Sequence, residues 1–170
     1  MTLIVEDGSI VTGADSFVSL ADARALADKF GWILPTDDGD AESALRNGAA
    51  YIGLQEPSLC GTRVSALQTL PFPRQGISLY GFPFANDAIP PQVIQAQVAA
   101  AVEYGKGSDV RGSTDGRITT MERVEGAVTV QYADNGVTGS TITITAALDA
   151  LKPLICGGGN NGFQFRVQRG

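Results

Sequence analysis

The stretch PPQVIQAQVAAAVEYG, residues 90–105, decides the fold. Proline is tolerated in the first turn of a helix, where its missing N–H has no intrahelical partner to lose, so Pro90-Pro91 read as a helix start. Ile94, Val98, Ala101 and Val102 then fall on one helical face until Tyr104-Gly105. This predicts a helix over 91–104, the central helix of the core. Upstream, Asp40 is placed to cap a helix over 40–53 whose inner face is Ala41, Leu45, Ala49 and Ile52, with alanines that allow close helix packing. Further upstream, Ser19 with Asp22 three residues on resembles a capping box, and Ala23, Leu26, Ala27 and Phe30 recur at helical spacing before Gly31, giving a helix over 20–30. The opening residues read as a brief extended lead-in broken by Asp7-Gly8 and Gly13.

Downstream the period changes. Val128, Val130 and Tyr132 alternate, Glu125-Gly126 suits a hairpin turn, and Thr141 to Thr145 alternates threonine with isoleucine. A β region over about 117–145 follows, then a short helix over 146–152 with Leu148 and Leu151 before Pro153. The proline-rich stretch 54–90 sustains neither period and is expected to be a long ordered loop. The fold class is α+β, mainly α: a small helical bundle with an inserted β-hairpin or small antiparallel sheet and an extended C-terminal arm. Residues 1–156 form the core and 157–170 the arm.

A chain of 170 residues is one domain's worth of protein, and it contains no histidine. That removes Ser-His-Asp and Cys-His nucleophilic sites and histidine-ligated zinc and haem. The net charge of −6 is uneven: residues 1–58 carry ten acids and three bases, residues 59–170 eight acids and nine bases. Affinity for a phosphate backbone comes largely from lysine and arginine displacing counterions, so the acidic balance argues against free DNA as a ligand. Cys60 and Cys156 are far apart with no C-x-x-C, and are expected to be two separate reduced thiols. No basic leader and no long apolar run is present, which predicts a soluble protein without signal peptide or membrane span.

Local motifs for chemistry are weak. The glycines from Gly157 to Gly162 lack the Gly-Lys-Ser/Thr of a phosphate loop. Asp37, Asp38, Asp40 and Glu42 lack calcium-loop spacing and read as helix capping and solvation. No catalytic, metal-binding or cofactor-binding residue is predicted, and the expectation is that the chain is not an enzyme. The end of the chain is more informative. Gly157, Gly158 and Gly159 form a hinge, after which Phe163, Phe165 and Val167 alternate with Gln164, Arg166 and Gln168. Such a tail suits strand addition to a partner.

Several stretches together resemble a family of tailed-phage head-tail connector adaptors, also described as DnaT-like single-stranded-DNA-binding proteins. They are Glu6-Asp7-Gly8, Ala14-Asp15-Ser16-Phe17-Val18 and Ala21-Asp22-Ala23 in the opening, then Ala49-Ala50-Tyr51-Ile52, then Leu70-Pro71-Phe72-Pro73-Arg74-Gln75-Gly76, Ile89-Pro90-Pro91 and Arg169-Gly170. The chain departs from the family at Phe72, where a tryptophan is common, and at Glu56-Pro-Ser-Leu-Cys60. The resemblance implies a structural virion protein at the head-tail interface, assembled in the host cytoplasm. It would form a homo-oligomeric, dodecameric ring under the portal protein and meet neck and tail completion proteins. Genomic DNA would pass through its channel without sequence-specific binding, and no membrane or cofactor would be involved. Phe163, Phe165, Arg166, Val167 and Arg169 would be the portal-binding residues, swung on the hinge Gly157, Gly158 and Gly159.

The alternative is a single-stranded-DNA-binding replication protein, which needs cations beside stacking aromatics. Its candidates are Arg63, Arg74, Arg111 and Arg117 with Phe72, Tyr80 and Phe82.

Overall fold

The computed structural model describes residues 2–107, 121–123, 129–131 and 144–156. The chain divides into two units, one of Met1–Ser108 with Ile144–Gly170 and one of Asp109–Thr143. In the first, four helices run α1 (Leu20–Phe30), α2 (Asp38–Leu54), α3 (Pro91–Gly105) and α4 (Thr145–Leu151), each within two residues of its expected bounds. In the second, β5 (Met121–Arg123) pairs antiparallel with β6 (Thr129–Gln131), with Glu122 opposite Val130. The expected Glu125-Gly126 turn lies outside the described residues. The architecture is α+β and mainly α.

As expected, α3 is central: α1, α2 and α4 all pack on it, and Ala96 through Val102 are buried. Small residues set the α2–α3 spacing. At Gly48 an added Cβ would stand 2.5 Å from the Gln97 carbonyl oxygen and 3.2 Å from the Ala101 nitrogen, closer than any side chain tolerates. Leu45, Ala49, Ile52, Val98 and Ala101 close the seam. One buried polar side chain ties the elements together. Gln97 Nε2 donates to Ser16 Oγ at 2.8 Å and to the Leu45 carbonyl at 2.9 Å, while its Oε1 accepts the Phe17 N–H at 2.9 Å. The lead-in, α2 and α3 are thereby registered by bonds that are costly to leave unmade in a dry core.

Helix ends follow local chemistry. Ser19 accepts the Asp22 N–H, and Gly31 closes α1 in the left-handed region at φ 65°. The cap of α2 is Asp37, not Asp40. Asp37 has extended backbone and its carboxylate accepts the Asp40 N–H at 3.1 Å, so the helix begins at Asp38. The Thr141–Thr145 strand expectation also needs correction where it is described. Ile144 caps α4 and Thr145 is its first residue, because Ala147 and Leu151 gain burial against α3; residues 141–143 lie outside the described set.

Between α2 and α3 the expected long loop contains a 3-10 turn, Glu56–Ser58, and two minimal antiparallel ladders: β1 (Thr62–Arg63) with β2 (Arg74–Gln75), and β3 (Ser78–Leu79) with β4 (Phe82–Pro83). The two cysteines are joined in a disulfide, overturning the expectation of free thiols. A second 3-10 turn, Lys152–Leu154, returns the chain to the loop. There Cys60 N–H donates to the Leu154 carbonyl and Cys156 N–H to the Ser58 carbonyl, both at 2.8 Å. That pairing brings the two Cα atoms to 4.8 Å, a proximity hidden by a separation of 96 residues.

Candidate nucleic-acid interface

The two described cations proposed for nucleic-acid contact, Arg63 and Arg74, are committed elsewhere. Arg63 forks onto Glu56, with Nε and Nη2 each 2.6 Å from a carboxylate oxygen, and its Nη1 donates to the Gln68 carbonyl at 2.7 Å. This pairing raises the Arg63 pKa further and holds the Glu56 carboxyl below the ordinary carboxylate value. Arg74 is 6% exposed and staples the loop: it donates to the carbonyls of Cys60 and Gly61 at 2.7 and 2.6 Å and to Glu56 at 3.2 Å. Phe72 is fully buried and meets Phe17 edge-on at 6.2 Å between ring centroids. Arg63, Arg74 and Phe72 are therefore structural.

Other cations follow the same pattern. Arg24 pairs with Asp38, Arg46 with Asp15 and Glu42, and Lys106 with Glu103. The acidic run Asp37, Asp38, Asp40 and Glu42 is thus explained by capping and ion pairing, and among the described residues no group of three acids or cysteines is placed to hold a metal. Arg111, Arg117, the hinge Gly157 to Gly159 and the residues Phe163, Phe165, Arg166, Val167 and Arg169 lie outside the described residues.

Two of the candidates stand apart. Tyr80 and Phe82 are 75% and 74% exposed at the tip of the β3–β4 hairpin, which is anchored through buried Ile77 and Leu79. The hairpin turns through Tyr80 at φ 54° and Gly81 at φ 87°, two successive positive values that match the twist of a tight hairpin. Glycine adopts this region freely, whereas a tyrosine there costs about 1–2 kcal/mol. Asparagine would satisfy the turn at lower cost. The tyrosine hydroxyl accepts a long hydrogen bond of 3.5 Å from Gln92 Nε2, and burial contributes little. An aromatic ring is thus held in water on a backbone position that disfavours it, a pattern that concentrates at functional sites. The sequence contained both aromatics, but the turn geometry that singles out Tyr80 is visible only in the fold.

The described fold and hairpin define a small, mainly helical domain that displays two unpaired aromatic rings and keeps most of its described cations in internal ion pairs. The chain belongs to the family described as "Putative DnaT-like ssDNA binding protein", whose model matches residues 1–170. No curated protein and no solved structure matches the chain. The family's description names single-stranded DNA binding and not head-tail connection. It therefore overturns the expectation of a portal adaptor as the main reading of function. No helix among the described residues is long and apolar enough to cross a membrane.

Proposed function

We propose that this chain binds single-stranded DNA by stacking unpaired bases on Tyr80 and Phe82. The observation that carries the reading is the two exposed aromatics at the hairpin tip, Tyr80 held in a strained backbone conformation, and the family's description supports it. Every base has a π-face, so such a platform is tolerant of sequence, and each base–aromatic stack contributes about 1–3 kcal/mol. Duplex DNA keeps its bases stacked on each other and offers this platform nothing.

The acidic balance sets the strength rather than forbidding the function. Arg24, Arg46, Arg63, Arg74 and Lys106 are held by carboxylates, so among the described cations these five are not free to neutralise phosphates on binding. The salt dependence is then shallow, because each phosphate contact on a single strand adds about −0.7 to the slope of log K against log salt. The test is fluorescence anisotropy of a labelled oligothymidylate against a duplex of equal length, over a salt series. Binding confined to the single strand with a shallow slope is expected. Equal binding to duplex, or none to either at low salt, would refute the proposal.

A further inference from the structure

A groove of about 700 Å³ opens between the lead-in, α1 and the start of α3, away from the aromatic hairpin's own residues. Phe17, Val18, Leu26 and Ile94 supply its apolar lining, and on its rim the carboxylates of exposed Asp7 and Asp22 outnumber the single ammonium of Lys29. Hydrogen bonds from Ser9 hold the Asp7 carboxyl below its ordinary pKa, so it is charged at neutral pH. An apolar floor with an anionic rim fits an apolar segment that carries cations.

The chain contains one. Residues 163–169, FQFRVQR, alternate Phe163, Phe165 and Val167 with polar residues and bear Arg166 and Arg169, and residues 157–170 hold no acid in a chain of net charge −6. In an extended segment the alternation puts the apolar side chains on one face. The attachment point is fixed. The described fold runs to Cys156, which the disulfide fixes to Cys60, and only the six residues GGGNNG intervene before Phe163. Six residues can span at most about 20 Å, and tethering raises the effective concentration of the attached segment near the attachment point. A weakly binding segment then docks on its own chain before it docks on another.

We propose that the groove between the lead-in, α1 and α3 is the docking site for the chain's own residues 163–169, with Phe163 and Phe165 on the apolar floor and Arg166 and Arg169 toward Asp7 and Asp22. The inference is independent of DNA binding.

The test is amide NMR of the full chain against two full-length variants, Phe163→Ala/Phe165→Ala and Arg166→Glu/Arg169→Glu. Both change residues that follow α4 in sequence, and the amides of α4 report whether the fold is retained. The amides of Asp7, Val18, Leu26, Ile89 and Ile94 are expected to shift in both variants while those of α4 stay in place. Adding the peptide FQFRVQR to the first variant should return the groove amides toward their wild-type positions. Unmoved groove amides, or shifts spread evenly over all four helices, would overturn the proposal. Wild-type groove shifts that change on tenfold dilution would also overturn it, since they would point to a second copy as the occupant.

Discussion

Glu56 receives both Nε and Nη2 of Arg63 at 2.6 Å, a two-point grip that commits one of the arginines proposed to meet a phosphate. The same carboxylate lies 3.2 Å from Arg74 Nη1, so one acid serves two cations that together pin the loop between α2 and α3. The Arg63 hydrogen bond lowers the folded-state pKa of Glu56 below its ordinary value of 4.5. The stability it contributes is therefore complete above that ordinary value and is lost as pH falls through the lower folded-state value. Glu56→Gln should lower stability near neutral pH by about 1.5–3 kcal/mol, toward the smaller figure because the side chain is partly solvated. The difference in melting temperature between wild type and variant should narrow as pH falls below the ordinary value of 4.5. A gap that is constant with pH would show that the pair contributes nothing through its charge.

The Cys60–Cys156 bond closes a loop of 96 residues and ties the end of the helical core to the loop after α2. Restricting the unfolded chain over such a loop stabilises the fold by about 2–5 kcal/mol. Thermal melts with and without a dithiol reductant should differ accordingly, and Cys60→Ala/Cys156→Ala should melt at the reduced value in both conditions. A melting temperature insensitive to reductant would contradict the bond.

Gly48→Ala should destabilise despite alanine's higher helix propensity, a preference of about 1 kcal/mol. The new Cβ would meet backbone atoms of α3, led by the Gln97 carbonyl oxygen at 2.5 Å, and neither helix can yield without disturbing the other's seam. Overpacking of this kind costs about 1–3 kcal/mol, so a net loss in denaturant midpoint is expected. A gain would mean that the α2–α3 spacing is looser than described.

The helices were legible because their signals are local. Ser19, Pro90-Pro91 and Gly31 mark ends, and Leu45, Ile52 and Val98 keep a helical period. Asp37 displaced Asp40 as the α2 cap because two acids three residues apart give the same pattern, and only backbone conformation separates them. The disulfide was illegible because proximity across 96 residues is a property of the fold. Among the nucleic-acid candidates, residue type placed Arg63, Arg74, Phe72, Tyr80 and Phe82 together, yet burial and ion pairing divide them. The first three hold the loop, and the last two face water. The family's description also corrected the weight given to net charge: an acidic chain is a poor partner for phosphates, but stacking makes no demand on net charge.

The strained turn provides the most direct measurement. Tyr80→Asn converts Tyr80-Gly81 to Asn-Gly, the pair this hairpin geometry prefers, and should raise stability by about 1 kcal/mol. The same change removes one stacking surface and should weaken single-stranded DNA binding by roughly tenfold, with Phe82→Ala weakening it similarly at unchanged melting temperature. Oligothymidylate affinity and melting temperature, measured together on the wild type, Tyr80→Asn and Phe82→Ala, give the decisive comparison. Higher stability with lower affinity for Tyr80→Asn is the predicted result. Wild-type affinity retained in both variants would contradict the assignment of DNA binding to this hairpin.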